Sequence, residues 1–242
     1  MNESKLNVSP TTLFPPMLER MLETGEVQGR TGAQNLIGAS TRNNLAVLAA
    51  MLEQITPTRT MEIGLACGTS ALLFLNYHKQ RGGVDEALHT AIDPYQADLD
   101  YAGLEQIERA GFTPYFRHLP KLSDTALPQL IAEDARFQLI YVDGSHLFEN
   151  VFIDLYFSVR LLDEGGVILF DDATWPDVRK VLAFVRKNLT ANLQEVNLEP
   201  FRPAGQRGIR YKLAKALGKT QLAAFRRIGD PLRPWNAGFR NF

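Results

Sequence analysis

Two spacings of apolar residues alternate along the chain. Four runs, TMEIGL (60–65), LHTAID (88–93), FQLIYVD (137–143) and GVILFDD (166–172), are almost continuously apolar and bounded by turn residues, the pattern of strands covered on both faces. A helix-length segment lies between each pair. TRNNLAVLAAMLEQI (41–55) repeats apolar residues at helical spacing, with Leu45, Leu48, Ala49 and Leu52 on one face, and Pro57 ends it. PDVRKVLAFVRKNL (176–189) predicts a further helix, with Pro176 suited to its first turn. Strands that alternate with helices specify a parallel, doubly wound sheet. At the amino end PPMLERMLETG (15–25) reads as an amphipathic helix, followed by the loop IGAST (37–41). At the other end LQEVNLEP (193–200), a turn at AGQRG (204–208) and IRYKLA (209–214) predict a closing antiparallel hairpin.

These elements divide the chain into an N-terminal helical cap (1–40), one α/β domain (41–216) and a basic, aromatic tail (217–242). The 242 residues, 45% hydrophobic and 22% charged, suffice for one well-filled core. No run reaches the roughly 20 apolar residues of a membrane span, and MNESKLNVSPTT lacks the basic flank and apolar centre of a signal peptide, so the expected location is the cytoplasm. A single cysteine, Cys67, excludes an internal disulfide and a cysteine-based zinc cluster. Charge is uneven: from Arg202 onward ten Lys and Arg face only Asp230, a surplus of nine, which leaves the preceding residues at −10. No nucleic-acid motif accompanies that basic end, so nucleic acid is not the expected partner. Trp235, Phe239 and Phe242 are expected to pack on the domain or on a second subunit of a homo-oligomer.

In open α/β sheets ligands bind beyond the carboxyl ends of the strands. Here the first strand leads into MEIGLACGTS (61–70), with Gly64 and Gly68 four apart and Ala66 where a dinucleotide fingerprint has its second glycine. The loop also lacks the Lys of a phosphate loop, so a pyrophosphate fits poorly. Asp93 ends the next strand, 25 residues after Gly68, where an acid accepts hydrogen bonds from ribose hydroxyls. Adenosine without phosphates fits both features. A tight turn at the glycines and a cap at Asp93 before Pro94 are the structural alternatives.

MEIGLACGTS, AIDPYQ (91–96) and FQLIYVDGSHLFENVFIDLYFSVRLLDEGGVILFDD (137–172) together resemble class I S-adenosylmethionine-dependent methyltransferases, in the bacterial branch with a D-G-x-H motif after the fourth strand. The resemblance spans about residues 45–189 and implies a Rossmann-like, mostly parallel sheet. It further implies that Glu62, Gly64 and Gly68 face the methionine part of the cofactor, that Ser70 bonds its carboxylate, that Asp93 holds the ribose and that Ser123 lies near the adenine. Arg42, in a loop, is a candidate to close over the cofactor.

Asp143 and Asp171 end the fourth and fifth strands; in this fold those strands are neighbours, with ends about 5 Å apart. Asp143, Asp171 and Asp172 would then converge, and a magnesium-like cation would relieve their repulsion. Metal-dependent catechol, sugar and antibiotic O-methyltransferases are similar in this respect. His146 stands three residues after Asp143, where the catechol enzyme has a lysine, and is a candidate general base. His78, His89 and His118 show no paired ligand spacing, and Glu149 and Asp154 read as a solvated helix face. The expected activity is methyl transfer to a hydroxyl oxygen of a small molecule, a sugar or a phenol. The alternatives are a metal-free enzyme acting on nitrogen, RNA or protein, and a regulatory module that binds the cofactor without catalysis.

Overall fold

The computed structural model describes residues 13–82 and 88–242; the amino-terminal stretch MNESKLNVSPTT, with its lack of signal-peptide character, lies outside them. Helix α1 (Pro16–Thr24) leads into a small antiparallel hairpin, β1 (Glu26–Gln28) and β2 (Ala33–Asn35), which the apolar spacing does not predict. Then come α2 (Arg42–Ile55), β3 (Thr60–Ile63), α3 (Thr69–Gln80), β4 (His89–Ile92), α4 (Ala102–Arg109), β5 (Phe116–Leu119), α5 (Ser123–Ala132), β6 (Phe137–Val142), α6 (Phe148–Leu161), β7 (Leu162–Phe170), α7 (Pro176–Asn188), β8 (Leu193–Glu195), α8 (Ile209–Ala216) and β9 (Ala223–Arg227). Among the described residues no helix is long and apolar enough to cross a membrane.

The main sheet has the order β5-β4-β3-β6-β7-β9-β8, with β3 to β7 parallel and the last two strands antiparallel. The chain starts at β3, runs out to β5 and returns to β6, so the helix direction switches between β3 and β6 and opens a crevice at their carboxyl ends. Alternate residues of each strand serve two cores. Leu139, Tyr141, Val167 and Leu169 pack with α2 and α3, while Ile140, Val142, Ile168 and Phe170 pack with α6 and α7. Burial of each such side chain contributes about 1.5–3 kcal/mol.

The closing antiparallel pair exists, but its second strand is not IRYKLA. Residues 209–216 form α8, and β8 pairs instead with β9, which inserts between β7 and β8. Lys, Leu and Ala are good helix formers, whereas Leu222, Ala223, Ala224 and Phe225 are all buried, as an interior strand requires. In the tail Phe239 and Phe242 pack on Phe184, at ring separations of 6.4 and 5.4 Å, but Trp235 is 98% exposed.

At the crevice the backbones of β3 and β6 approach too closely for side chains. A Cβ on Gly64, whose φ is +94°, would lie 2.2 Å from the carbonyl oxygen of Asp143. Gly64→Ala is therefore expected to cost more than about 3 kcal/mol, because a left-handed backbone and a clash with main chain add. Gly25, at φ +68° with nothing within 4 Å of where a Cβ would stand, isolates the first effect; Gly25→Ala should cost about 1–2 kcal/mol. Urea unfolding of both variants tests this, and equal losses would refute the close-approach argument.

Candidate active site

A cavity of about 770 Å³ occupies the crevice. Its floor is the turn from β3 into α3. Gly64, Ala66 and Gly68 all have positive φ, which lets the chain reverse tightly. Asp93, at the end of β4, holds that turn: its Oδ2 accepts from the amides of Leu65 (3.0 Å) and Ala66 (2.8 Å) and from Gln96 Nε2 (3.2 Å), and its Oδ1 from the Tyr95 amide (2.7 Å). Four protein donors thus occupy the carboxylate expected to meet ribose. Gly68 packs 3.2 Å from Gly103 at its would-be Cβ, so α3 and α4 can approach.

The acidic centre lies at the ends of β6 and β7, under the amino terminus of α2. Thr41 caps that helix by accepting from the Asn44 amide, which aims Ser40 and Asn44 at the strand ends. Ser40 Oγ donates to Asp143 Oδ2 (3.0 Å) and lies 3.0 Å from Tyr141 Oη. Tyr141 donates to Asp171 Oδ2. Asn44 Nδ2 contacts both Asp171 oxygens, at 2.8 and 3.1 Å, and the Asp172 amide adds a bond of 2.7 Å. Burial first, and then repulsion from Asp171, hold Asp143 well above the usual carboxylate range; burial raises Asp171 too.

Asp171 lines the cavity with both of its oxygens already engaged by Tyr141, Asn44 and the Asp172 amide. The residues whose donor atoms do converge are Asp143, His146 and Asp172, all within 4.8 Å of one another. The φ of +49° at Asp172 sends consecutive carboxylates in different directions. His146 Nε2 lies 2.9 Å from Asp172 Oδ2, outside hydrogen-bond alignment, and its ring stacks on Trp175 at 4.6 Å.

On the opposite wall Asp154 of α6 is only 1% exposed, not solvated as its sequence context implied. It shares the inward face of its helix with Val151, Leu155 and Ser158, a spacing that could have revealed its burial. Burial pushes its carboxyl up to about 7 against a hydrogen bond with Ser123, and its Oδ1 has no partner. Both residues line the cavity. Six aspartates (Asp93, Asp124, Asp143, Asp154, Asp171 and Asp172) line it in all, and among the described residues no Lys or Arg does.

Residues 61–173 match a family model described as a methyltransferase domain. The chain carries a methyltransferase domain. No curated protein matches the sequence significantly. Among solved structures, a Klebsiella pneumoniae protein provisionally called an O-methyltransferase superposes with a TM-score of 0.61 at 18% identity, over 90% of this chain and 94% of that one. The methyltransferase PaMTH1 of Podospora anserina, bound to S-adenosylhomocysteine, gives 0.61 at 17% identity over 95% and 97%. The O-methyltransferase of Bacillus cereus, in complex with the same molecule, gives 0.55 at 14% over 95% and 92%. At these identities the likeness is one of fold.

In this methyltransferase the residues singled out from sequence fall into two groups. Gly64, Asp93, Ser123, Asp143, His146, Asp171 and Asp172 line the cavity; Glu62, Gly68 and Ser70 lie beneath it. Ser70 donates to Glu62 (2.6 Å), so its hydroxyl is already engaged inside the protein. Arg42 turns outward to Glu19 (2.6 Å) and does not line the cavity. Ser40, Asn44 and Asp154 line the cavity and Tyr141 bonds within the acidic centre, positions that the sequence pattern does not single out; the S-T-x-x-N run at the start of α2 carries a capping signal but nothing about the acids it meets.

Glu62 anchors a buried polar row. Its Oε1 lies 3.2 Å from His89 Nε2, and Thr60 Oγ1 is 2.9 Å from both His89 Nδ1 and His78 Nε2. Burial raises Glu62 to about 8 and lowers both histidines to about 3, so the row is neutral near pH 7. Glu62 and Asp154 bind their protons more tightly folded than unfolded. Their contribution is complete below the ordinary carboxylate range and is lost as the pH rises to about 7 for Asp154 and about 8 for Glu62. His78 and His89 act in the opposite sense, and their contribution is lost as the pH falls from 6.5 towards about 3. Thermal unfolding should therefore show stability declining above pH 6.5, by up to about 1.4 kcal/mol per pH unit for each proton released. Glu62→Gln should flatten that alkaline limb, and a slope identical to the parent's would exclude Glu62 as its source.

Proposed function

We propose that the protein transfers the methyl group of S-adenosylmethionine to a hydroxyl oxygen of a small molecule in the cytoplasm, assisted by a divalent cation. The observation that carries this reading is the cluster of aspartates lining the cavity around Asp143, His146 and Asp172, with no Lys or Arg among the described residues there. S-adenosylmethionine presents a sulfonium and an ammonium, both cationic, and a wall of six aspartates, with no Lys or Arg among the described residues, suits them. The two similar proteins solved with S-adenosylhomocysteine support the same occupant.

The donor set fits a metal ion: two carboxylates and an imidazole lie within 4.8 Å of one another, and the imidazole Nε2 is buried without a hydrogen-bond partner. Three carboxylates would favour magnesium; His146 in place of Asp171 moves the preference towards manganese and similar first-row ions. When bound, the cation would acidify the acceptor hydroxyl and fix its position. Asp143 and Asp172 would supply the charge that holds it, and Ser40, Tyr141 and Asn44 would fix the carboxylates. The Gly64–Gly68 turn, clasped by Asp93, would support the methionine and ribose parts, while Ser123 and Asp154 would border the adenine end. The carbon–sulfur bond breaks as the carbon–oxygen bond forms, sulfur keeps the electron pair, and the hydroxyl proton leaves to solvent. Positioning supplies most of the acceleration.

The 2.9 Å approach of His146 to Asp172 favours a second reading, in which His146 takes the hydroxyl proton and no metal is needed. Calorimetry and chelation separate the two. Under the first, S-adenosylhomocysteine binds in excess chelator, transfer to a hydroxylated acceptor panel stops, and manganese restores it at lower concentration than magnesium. Asp172→Asn should match chelation, and Asp171→Asn should weaken manganese binding about 10- to 100-fold through lost positioning. Full activity in chelator, with loss in His146→Gln repaired at high pH, would establish the second reading. Failure to bind either S-adenosyl compound would overturn both.

A further inference from the structure

A second cavity, of about 670 Å³, adjoins the first and has the opposite character. Arg179, Arg202, Arg210 and Lys219 line it, and among the described residues no Asp or Glu does. Neighbouring Arg186 and Lys215 are both paired with Glu195, at 3.0 and 3.7 Å, whereas among the described residues none of the four cavity cations is in an ion pair. Arg202 lies over the ring of Tyr211 at 5.0 Å, and its Nε is buried without a hydrogen-bond partner. Four like charges gathered in a concavity repel one another, and an anion relieves that repulsion.

The two cavities share a wall. Asn44 and Gln221 line both, and Asn44 Nδ2, 2.8 Å from Asp171, also lies 3.5 Å from Gln221 Oε1. A molecule whose hydroxyl enters the acidic centre can thus place an adjoining anionic group among the cations. We infer that the methyl acceptor carries a phosphate or diphosphate ester, bound by Arg179, Arg202, Arg210 and Lys219. This rests on the methyl-transfer reading. A single carboxylate would leave most of the four cations unmatched, while a phosphate group offers charge and several acceptor oxygens to guanidinium forks. The charges converge in a cavity instead of forming a stripe, which favours a compact ester over a nucleic-acid backbone.

The test uses the full chain at low salt in excess chelator, which removes any route through a metal. Inorganic phosphate and pyrophosphate are titrated calorimetrically, with S-adenosylhomocysteine titrated separately in the same preparation. Binding of either anion is expected; tighter binding of pyrophosphate points to a diphosphate-linked acceptor, and equal binding to a simple phosphate ester. The double variant Arg210→Gln, Lys219→Gln, at two exposed positions, and the single variant Arg202→Gln should each weaken it at least about tenfold. Lys215→Gln, at a cation already paired with Glu195, should not change it. Absence of anion binding, or equal binding by all variants, would overturn the inference, as would a single-stranded RNA oligonucleotide that binds the same cations where neither inorganic anion does. Retained S-adenosylhomocysteine binding in those cases leaves the methyl-transfer reading standing, and its loss strikes that reading separately.

Discussion

Two buried carboxylates on adjacent strand ends, with no Lys or Arg among the described residues lining their cavity, are the constraint around which this site is organised. Asp143 and Asp171 close β6 and β7, and among the described residues the donors that hydrogen-bond to them are uncharged: Ser40, Asn44, Tyr141 and a main-chain amide. Neutral donors can orient an acid but cannot neutralise it. The chain could have placed one of its 26 Lys and Arg there; a resident cation of its own would have filled the site and excluded a cationic ligand. The cost is visible in Asp143, whose carboxyl is pushed well above the usual carboxylate range by burial and by its neighbour. The same acids anchor the start of α2, so the polarity of the site also fixes a helix.

Much of this was legible because the chemistry stands at the ends of apolar runs. TMEIGL, LHTAID, FQLIYVD and GVILFDD became β3, β4, β6 and β7, and the acid after each of the last three reached the cavity wall. What could not be read was direction. Whether Asp171 or Asp172 joins Asp143 and His146 turns on a left-handed backbone at a non-glycine residue, which spacing does not encode. Ser40 stands 103 residues from Asp143, Asn44 stands 127 from Asp171 and 177 from Gln221, and only tertiary packing joins them. IRYKLA alternates well enough for a strand, yet its helix-forming side chains and the more apolar stretch that follows decided otherwise.

The lopsided charge of the sequence resolves into separate tasks. Arg226 bonds the Gly165 carbonyl, Arg227 those of Leu162 and Gly229, and Arg233 that of Gly238, so these cations fasten the closing strands and the tail. Lys215 is matched by Glu195. Arg202, Arg210 and Lys219, which no acid among the described residues matches, collect at one concavity beside the acids. A net surplus along a sequence is thus a poor guide to a charged surface; the division between structural and free cations requires coordinates.

The insertion of β9 has a consequence for biosynthesis. The chain lays down β7 and then β8, but β8 reaches the sheet only through β9, which is made after α8. Until residues 223–227 leave the ribosome, β7 presents the buried row Val167–Phe170 as an open edge, and such edges recruit other strands. The main-chain bond from Ala173 to Gln221 forms at the same moment, bringing in the residue that divides the two cavities. The nascent protein therefore acquires its last sheet pairing and its partition wall together, and ribosome stalling within that interval would yield a chain prone to aggregation as well as an incomplete pocket.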